Sequence, residues 1–376
     1  MNQFHLEINY VPESITLLNM VAQPAGFQID YMNKIAAKYG VTPDDEAKKF
    51  VELLQEIEDA ARAEFLGDTD EINFFCGNQN IGDRVETFAN LLMLAGSSAI
   101  RERSVSKYVN ELKNLSEADY NRQFYDEVMI YGSRRVGEGT EGEISALDVF
   151  DLIQQKDLTD AEKLHLQKLF IHHEEYCEKF AALMERSAKV IKKYEKKLMT
   201  KGKKVAEYFE GILEGSSMAA YIMKALLLDF ETGNSIENCN VYISYLKSSA
   251  MGLFFDGDDG SSIVFVGAIY NSSIRIGDLL KNYNALNEDK VLSMLKLLGD
   301  KSKFEILSST VDQPAYGAQL ASMLGLTTAT ISHHTSALLD QNLLTLDKVD
   351  TKVYYRANPD TIRALINYMK KELLHE

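Results

Sequence analysis

The sequence predicts a mainly α, α+β protein. A large helical N-terminal domain with a small β-sheet near its end is expected to precede two helices about a tight turn, backed by a β-hairpin. Three observations predict this. Apolar residues recur at helical spacing through most of residues 1–235. Alternation replaces that rhythm between 241 and 266. The stretch LGLTTATISHHTSALLDQNLL, Leu324 to Leu344, carries a glycine stop, a threonine start and a second apolar stripe within twenty-one residues.

Thr42-Pro43-Asp44-Asp45 reads as a helix start, with Thr42 as N-cap, Pro43 at the first helical position and acids in the first turn. Phe50, Leu53, Leu54 and Ile57 follow on one side. Further helices are expected near Val85–Leu94 and Ile100–Leu115. Leu158-Thr159-Asp160 opens a long amphipathic stretch toward Met199, which the lysine-rich run Lys192–Lys204 is expected to interrupt or bend. The glycine-rich segment Tyr131–Glu143 reads as a loop that divides this region. Val241–Tyr245, Leu253–Phe255 and Ile263–Val266 read as strands, the last two joined by the turn Asp256–Gly260.

In the last ninety residues, Gly317–Met323 reads as a short helix with Leu320, Met323 and Leu324 inward. Gly325 supplies the left-handed stop. Thr327 caps a second helix, Thr328 to about Asp340, with Ile331, Thr335, Leu338 and Leu339 on the inner stripe. Thr328, Thr330, Ser332, His333 and Ser336 remain outside, and His334 lies one step round. No acid appears until Asp340. Short hydroxyls and imidazoles reach base edges in a major groove, and a helix N-terminus favours phosphate. Asn342 is placed to end the helix. Leu344–Lys348 and Val353–Arg356 alternate as strands of a hairpin, on which Lys348, Lys352 and Arg356 offer charge to phosphates.

Leu298–Leu307, the stretch LASMLGLTTATISHHTSALLDQNLL and the VYYR strand together resemble the ArsR-type (arsenic-repressor) winged-helix family, over roughly residues 288–374. The resemblance implies a dimeric bacterial or archaeal transcriptional regulator. Its flanking helices, here Val291–Leu298 and Thr361–Leu374, would form the dimer contact. Lys301 stands where the family often has Pro, Glu305 where it has a basic residue, and Thr335 where Leu is usual. The family's Cys-x-Cys metal pair has no counterpart in Pro314–Ala318. Asp360 and His375-Glu376 lack the spacing of its second metal pattern.

Charge and composition bound the rest. The 376 residues favour two or three domains, placed at 1–285 and 286–376 with a subdivision near 131–143. Residues 286–376 hold 10 Lys+Arg and 11 Asp+Glu, against 30 and 45 before them, so the net charge of −16 sits almost wholly in the N-terminal part. A near-neutral C-terminal domain tolerates DNA, and the acidic remainder repels it. Three scattered cysteines argue against a disulfide framework and suit a reducing cytoplasm. Neither a signal peptide nor a membrane span is expected.

Gly137–Gly142 matches G-x-G-x-x-G by letter but follows no apolar strand, and its two Glu oppose a pyrophosphate. Asp256–Gly260 lacks the downstream Glu of a calcium loop. His173 and Cys177 stand four apart beside His172, Glu174 and Glu175, but no further ligands are placed, so a solvated helix face with one buried Cys is expected. The 36 Tyr and Phe fall mostly at core spacing. No cofactor, metal site or catalytic motif is assigned. The sequence thus predicts a cytoplasmic, non-enzymatic regulator that binds double-stranded DNA as a homodimer, with a small-molecule or protein effector at its N-terminal domain. A winged-helix interaction adaptor without DNA binding is the alternative.

Overall fold

The computed structural model describes residues 2–77, 79–81, 84–94, 102–130, 143–156, 158–225, 238–255, 261–277, 288–349 and 352–375. The protein is a helix-rich α+β chain with small sheets. Its described residues fall into two compact units, one of 2–130, 143–220 and 238–275, the other of 221–225 and 276–375. The expected loop at 131–142, the glycine motif at 137–142, the turn at 256–260 and the boundary at 285 lie outside the described residues.

The first unit starts with strand β1 (Asn2–His5) and helices α1 (Tyr10–Ala22), α2 (Phe27–Tyr39), α3 (Asp45–Glu64) and α4 (Thr69–Cys76). A short antiparallel pair follows, β2 (Gln79–Ile81) and β3 (Arg84–Glu86). Helices α5 (Phe88–Leu92), α6 (Val105–Lys113), α7 (Glu117–Ile130), α8 (Ala146–Gln155), α9 (Asp160–Ile171), α10 (His173–Lys192) and α11 (Glu195–Leu213) come next, followed by α12 (Met218–Ala225), of which only residues up to Ala220 belong to this unit. Strands β4 (Cys239–Ser244), β5 (Met251–Phe255) and β6 (Ser262–Gly267) complete a sheet ordered β1-β4-β6-β5. Its first three strands run parallel, and β5 returns antiparallel against β6. The helical core centres on α10, which lies against α1, α3 and α6. Small residues allow the close approach: the buried Ser187 hydroxyl donates to the Ser14 carbonyl at 3.2 Å. Gly202 permits another, since a Cβ there would stand 2.2 Å from the Tyr245 hydroxyl.

Several expectations shift. The cap of α3 is Asp44, not Thr42; its carboxylate accepts from Ala47 N at 2.8 Å and holds Asn271 as well. The helix expected at Val85 begins at Phe88, because Arg84–Glu86 pairs as a strand. The stretch from 158 to 199 is three helices, broken at His172 and at Lys193-Tyr194.

Glu13 is buried at the end of β4, where its two oxygens accept from Tyr245 N at 2.7 Å and Leu246 N at 2.8 Å. Burial pushes its carboxyl up to about 7, against the pull of those two amides. A raised carboxyl favours the folded state when protonated. Its contribution is full below the unfolded value near 4.5 and is lost as pH rises through about 7. Urea midpoints of the wild type are expected to fall between about pH 5 and pH 8, and those of Glu13→Gln to fall less, by on the order of 3 kcal/mol at most. Parallel pH profiles for the two proteins would refute this.

The second unit holds helices α13 (Glu288–Leu298) and α14 (Lys301–Ser309), strand β7 (Ala315–Tyr316), helices α15 (Gly317–Leu324) and α16 (Thr328–Asp340), strands β8 (Leu344–Val349) and β9 (Lys352–Ala357), and helix α17 (Pro359–Leu374). The sheet order is β7-β9-β8, antiparallel throughout. Val291, Met294, Ile306, Leu320, Ile331, Leu338, Leu343, Tyr355 and Leu365 form its core.

Candidate nucleic-acid interface

The helix-turn-helix is built by local chemistry. Gly325 takes φ +67°, a left-handed position that costs a side chain strain, and it ends α15. Thr327 is extended and its hydroxyl accepts from Thr330 N at 3.1 Å, which starts α16. Ile331, Thr335 and Leu338 are buried beneath α16, as the spacing predicts. Leu320 is likewise buried, but Met323 is 56% exposed and faces away from the core; Ala321 takes the inward place beside Leu320. Asn342 ends the helix at φ +57°.

The outer face of α16 presents Thr328 and His333 exposed and Thr330, Ser332, His334 and Ser336 half-exposed. These side chains differ in freedom. Thr330 Oγ1 lies 2.8 Å from Thr327 Oγ1, and the Ser336 hydroxyl donates to the Ser332 carbonyl at 2.9 Å. The Ser332 hydroxyl and the His333 ring make no hydrogen bond to protein among the described residues. His334 turns toward α14. Burial pushes its pKa down, and the nearby Lys303 ammonium adds to this against Asp300. Its Nδ1 is buried without a partner among the described residues. Lys303 itself is held 3.4 Å from Asp300.

Behind α16, β8 and β9 pair from Leu344↔Ala357 to Val349↔Lys352. Lys348 and Lys352 occupy strand positions in this wing, and Arg356 is exposed opposite Thr345. Positions 350 and 351, the tip, lie outside the described residues. Sequence reasoning missed β7, whose two residues pair Ala315 with Tyr355 and Tyr316 with Tyr354 and tie the start of α15 to the wing. Two residues are too few for alternation to show. What the arrangement offers is a helix whose exposed side bears hydroxyl and imidazole groups without a carboxylate, packed through a shared core against a hairpin whose sequence carries Lys348, Lys352 and Arg356.

The cluster at 172–177 has a different character. His173 is buried, not solvated; its Nε2 lies 2.9 Å from the Leu92 carbonyl and 3.2 Å from Cys177 Sγ. Burial pushes the imidazole down and the Cys177 thiol up to about 12. The ring N–H is spent on Leu92, so the pair packs α10 against α5. Among the described residues no three His, Cys, Asp or Glu side chains are placed to hold a metal ion. No described helix is long and apolar enough to cross a membrane.

No protein-family model and no curated protein matches the chain. Among solved structures, reduced HlyU from Vibrio cholerae N16961 is similar at 23% identity over 23% of this chain and 92% of its own, with a TM-score of 0.20. NolR from Sinorhizobium fredii is similar at 21% identity over 24% of this chain and 95% of its own, also with a TM-score of 0.20. At that score neither likeness carries weight for fold or for function.

Proposed function

We propose that the protein is a DNA-binding transcriptional regulator of the ArsR type, a homodimeric, cytoplasmic repressor rather than an enzyme. One observation carries this reading: the exposed, acid-free hydroxyl and imidazole face of α16, fixed by the Gly325 stop and the Thr327 cap in front of a β-hairpin wing. Thr328, Thr330, Ser332, His333, His334 and Ser336 would meet the major groove. Lys348, Lys352 and Arg356 would meet phosphates. An effector at the first unit would change DNA affinity by favouring one of two arrangements of the dimer. Selection of genomic fragments by the purified protein is expected to return a common, two-fold sequence. An empty selection at low salt would sink the reading.

The exposed apolar residues Leu292 and Leu295 of α13 and Ile366, Leu373 and Leu374 of α17 support a dimer through these helices. A two-fold dimer would set two copies of α16 about 34 Å apart, one helical turn of DNA. The double variant Leu295→Asp, Ile366→Asp is expected to sediment at half the wild-type mass. It should also lose DNA affinity on the order of 100-fold, the avidity of a second half-site. A variant that keeps the dimer would place the contact elsewhere. The exposed Phe304, Val311 and Met323 favour a second reading, a winged helix that docks protein. Salt separates the two, because phosphate contacts weaken steeply as salt rises.

A further inference from the structure

The lysine run at 189–204 has no part in the site described above. Eight lysines and one acid, Glu195, lie in these sixteen residues, within a region whose net charge is −15. Helix α10 ends at Lys192 and α11 begins at Glu195, with Lys193 and Tyr194 keeping helical backbone between them. The inward side is closed by Ser187, Val190, Ile191, Leu198, Gly202 and Val205. Lys189, Lys192, Lys193 and Lys196 are all exposed, and their spacing puts them on one helical face. The lysines after them are matched to carboxylates: Lys197 to Glu56 at 3.0 Å, Lys201 to Glu46 at 2.8 Å, Lys203 to Glu207 at 3.8 Å and Lys204 to Glu46 at 3.4 Å. No ion pair joins the first four to any described residue. Glu195 is half-buried and lies beside Tyr10.

A lysine face is commonly just a solvated one. Two features set this one apart. Like charges three and four residues apart destabilise a helix, and although Glu185 stands four before Lys189 and Glu195 three after Lys192, no ion pair relieves the four lysines among the described residues. The face is also chemically uniform, with no Arg fork and no large exposed apolar residue between 186 and 204. Compact ammonium charges suit phosphates and carry no sequence information. Seven residues at helical rise, as from Lys189 to Lys196 across the turn at Lys193-Tyr194, cover about 10 Å, a length over which duplex DNA presents about six charges.

We propose that Lys189, Lys192, Lys193 and Lys196 form a second, sequence-independent contact to the phosphates of duplex DNA, separate from α16 and the wing. The proposal rests on the DNA-binding reading. It explains how an acidic first unit is tolerated beside a polyanion: one face attracts what the remainder repels.

The test uses the full chain and a mixed-sequence duplex of about 40 base pairs, titrated between about 50 and 200 mM salt. The variant Lys189→Gln, Lys192→Gln, Lys193→Gln, Lys196→Gln is expected to keep the wild-type melting temperature. Its log–log salt slope should be shallower by about 0.9 for each lysine seated on a phosphate, up to about 3.6. A wild-type slope in the lysine variant would overturn the lysine contact and leave the α16 reading standing. Absence of binding by every protein, on this duplex and on selected fragments, would overturn both. A lysine variant that changes sedimented mass with its slope intact would assign the face to an acidic protein partner and overturn the proposal.

Discussion

Replacing Arg62 with alanine is expected to destabilise the first unit by about 3–5 kcal/mol. Arg62 Nε donates to Glu58 Oε1 at 2.8 Å, and its other nitrogens donate to the carbonyls of Met20, Val21 and Gln23 at 2.9, 3.0 and 2.7 Å. One guanidinium therefore closes the C-terminal end of α1 from a position on α3. Glu58 is 0% exposed, and its Oε2 has no partner among the described residues. Removing the cation leaves a buried carboxylate unpaired and takes one donor from each of three carbonyls at the end of α1, of which Met20 keeps the Gln23 N–H at 3.1 Å. The double variant Arg62→Ala, Glu58→Gln should recover part of the loss, because it removes the uncompensated charge but does not restore the guanidinium's hydrogen bonds to the carbonyls. Urea unfolding followed by circular dichroism measures both. A single-variant loss under about 1 kcal/mol would mean that solvent reaches Glu58 and that the pair is worth no more than a surface bridge.

That network was not legible in the sequence, and the reason is sequence separation. Arg62 and Glu58 are four apart and could be read as an ordinary helix pair, but their partners lie about forty residues away on α1. Glu13 is separated from Tyr245 by 232 residues, so its spacing carries no sign that it caps two backbone amides. The same limit hid β1. Four residues cannot show alternation, and their partner, β4, lies at the far end of the first unit. The long stretch expected from 158 toward Met199 is three helices for a local reason: the break at Lys193-Tyr194 falls in the lysine run expected to interrupt it, but no Gly or Pro marks the one at His172. By contrast α15, its turn and α16 were readable almost to the residue, because stop, cap and apolar stripe are all local signals. The slip at Thr42 belongs to the same class. Either Thr42 or Asp44 satisfies the chemistry of a cap, and Asn271 and Ser273, brought from a distant loop, hold the choice at Asp44. Within the candidate site, the outward face of α16 was legible from periodicity, whereas the turning of His334 toward Lys303 and Asp300 depends on how α14 packs.

Ser332→Ala with His333→Ala is expected to lower affinity for the selected operator by about 2 to 4 kcal/mol, roughly 30- to 1,000-fold, and to leave binding to unrelated DNA almost unchanged. The two residues are chosen because they stand side by side at the middle of the α16 face and, like Thr328 at its start, make no side-chain hydrogen bond to protein among the described residues. Ser336 donates to the Ser332 carbonyl, Thr330 pairs with the Thr327 hydroxyl, and His334 leans on α14, so alanine at those positions would disturb the helix as well as the surface. Ser332 and His333 avoid that confusion. Ile331 beside them carries the core contact and is left in place, so the variant should melt with the wild type. The expected pattern is thus a loss of preference with stability and salt slope retained, which a packing defect would not produce. An equal loss on operator and unrelated DNA would mean that the pair touches phosphate, and the base-reading face would then lie elsewhere on α16. Retained preference would exclude Ser332 and His333 as the base-reading residues and turn attention to Thr328 and to the exposed Gln319 and Ser322 of α15.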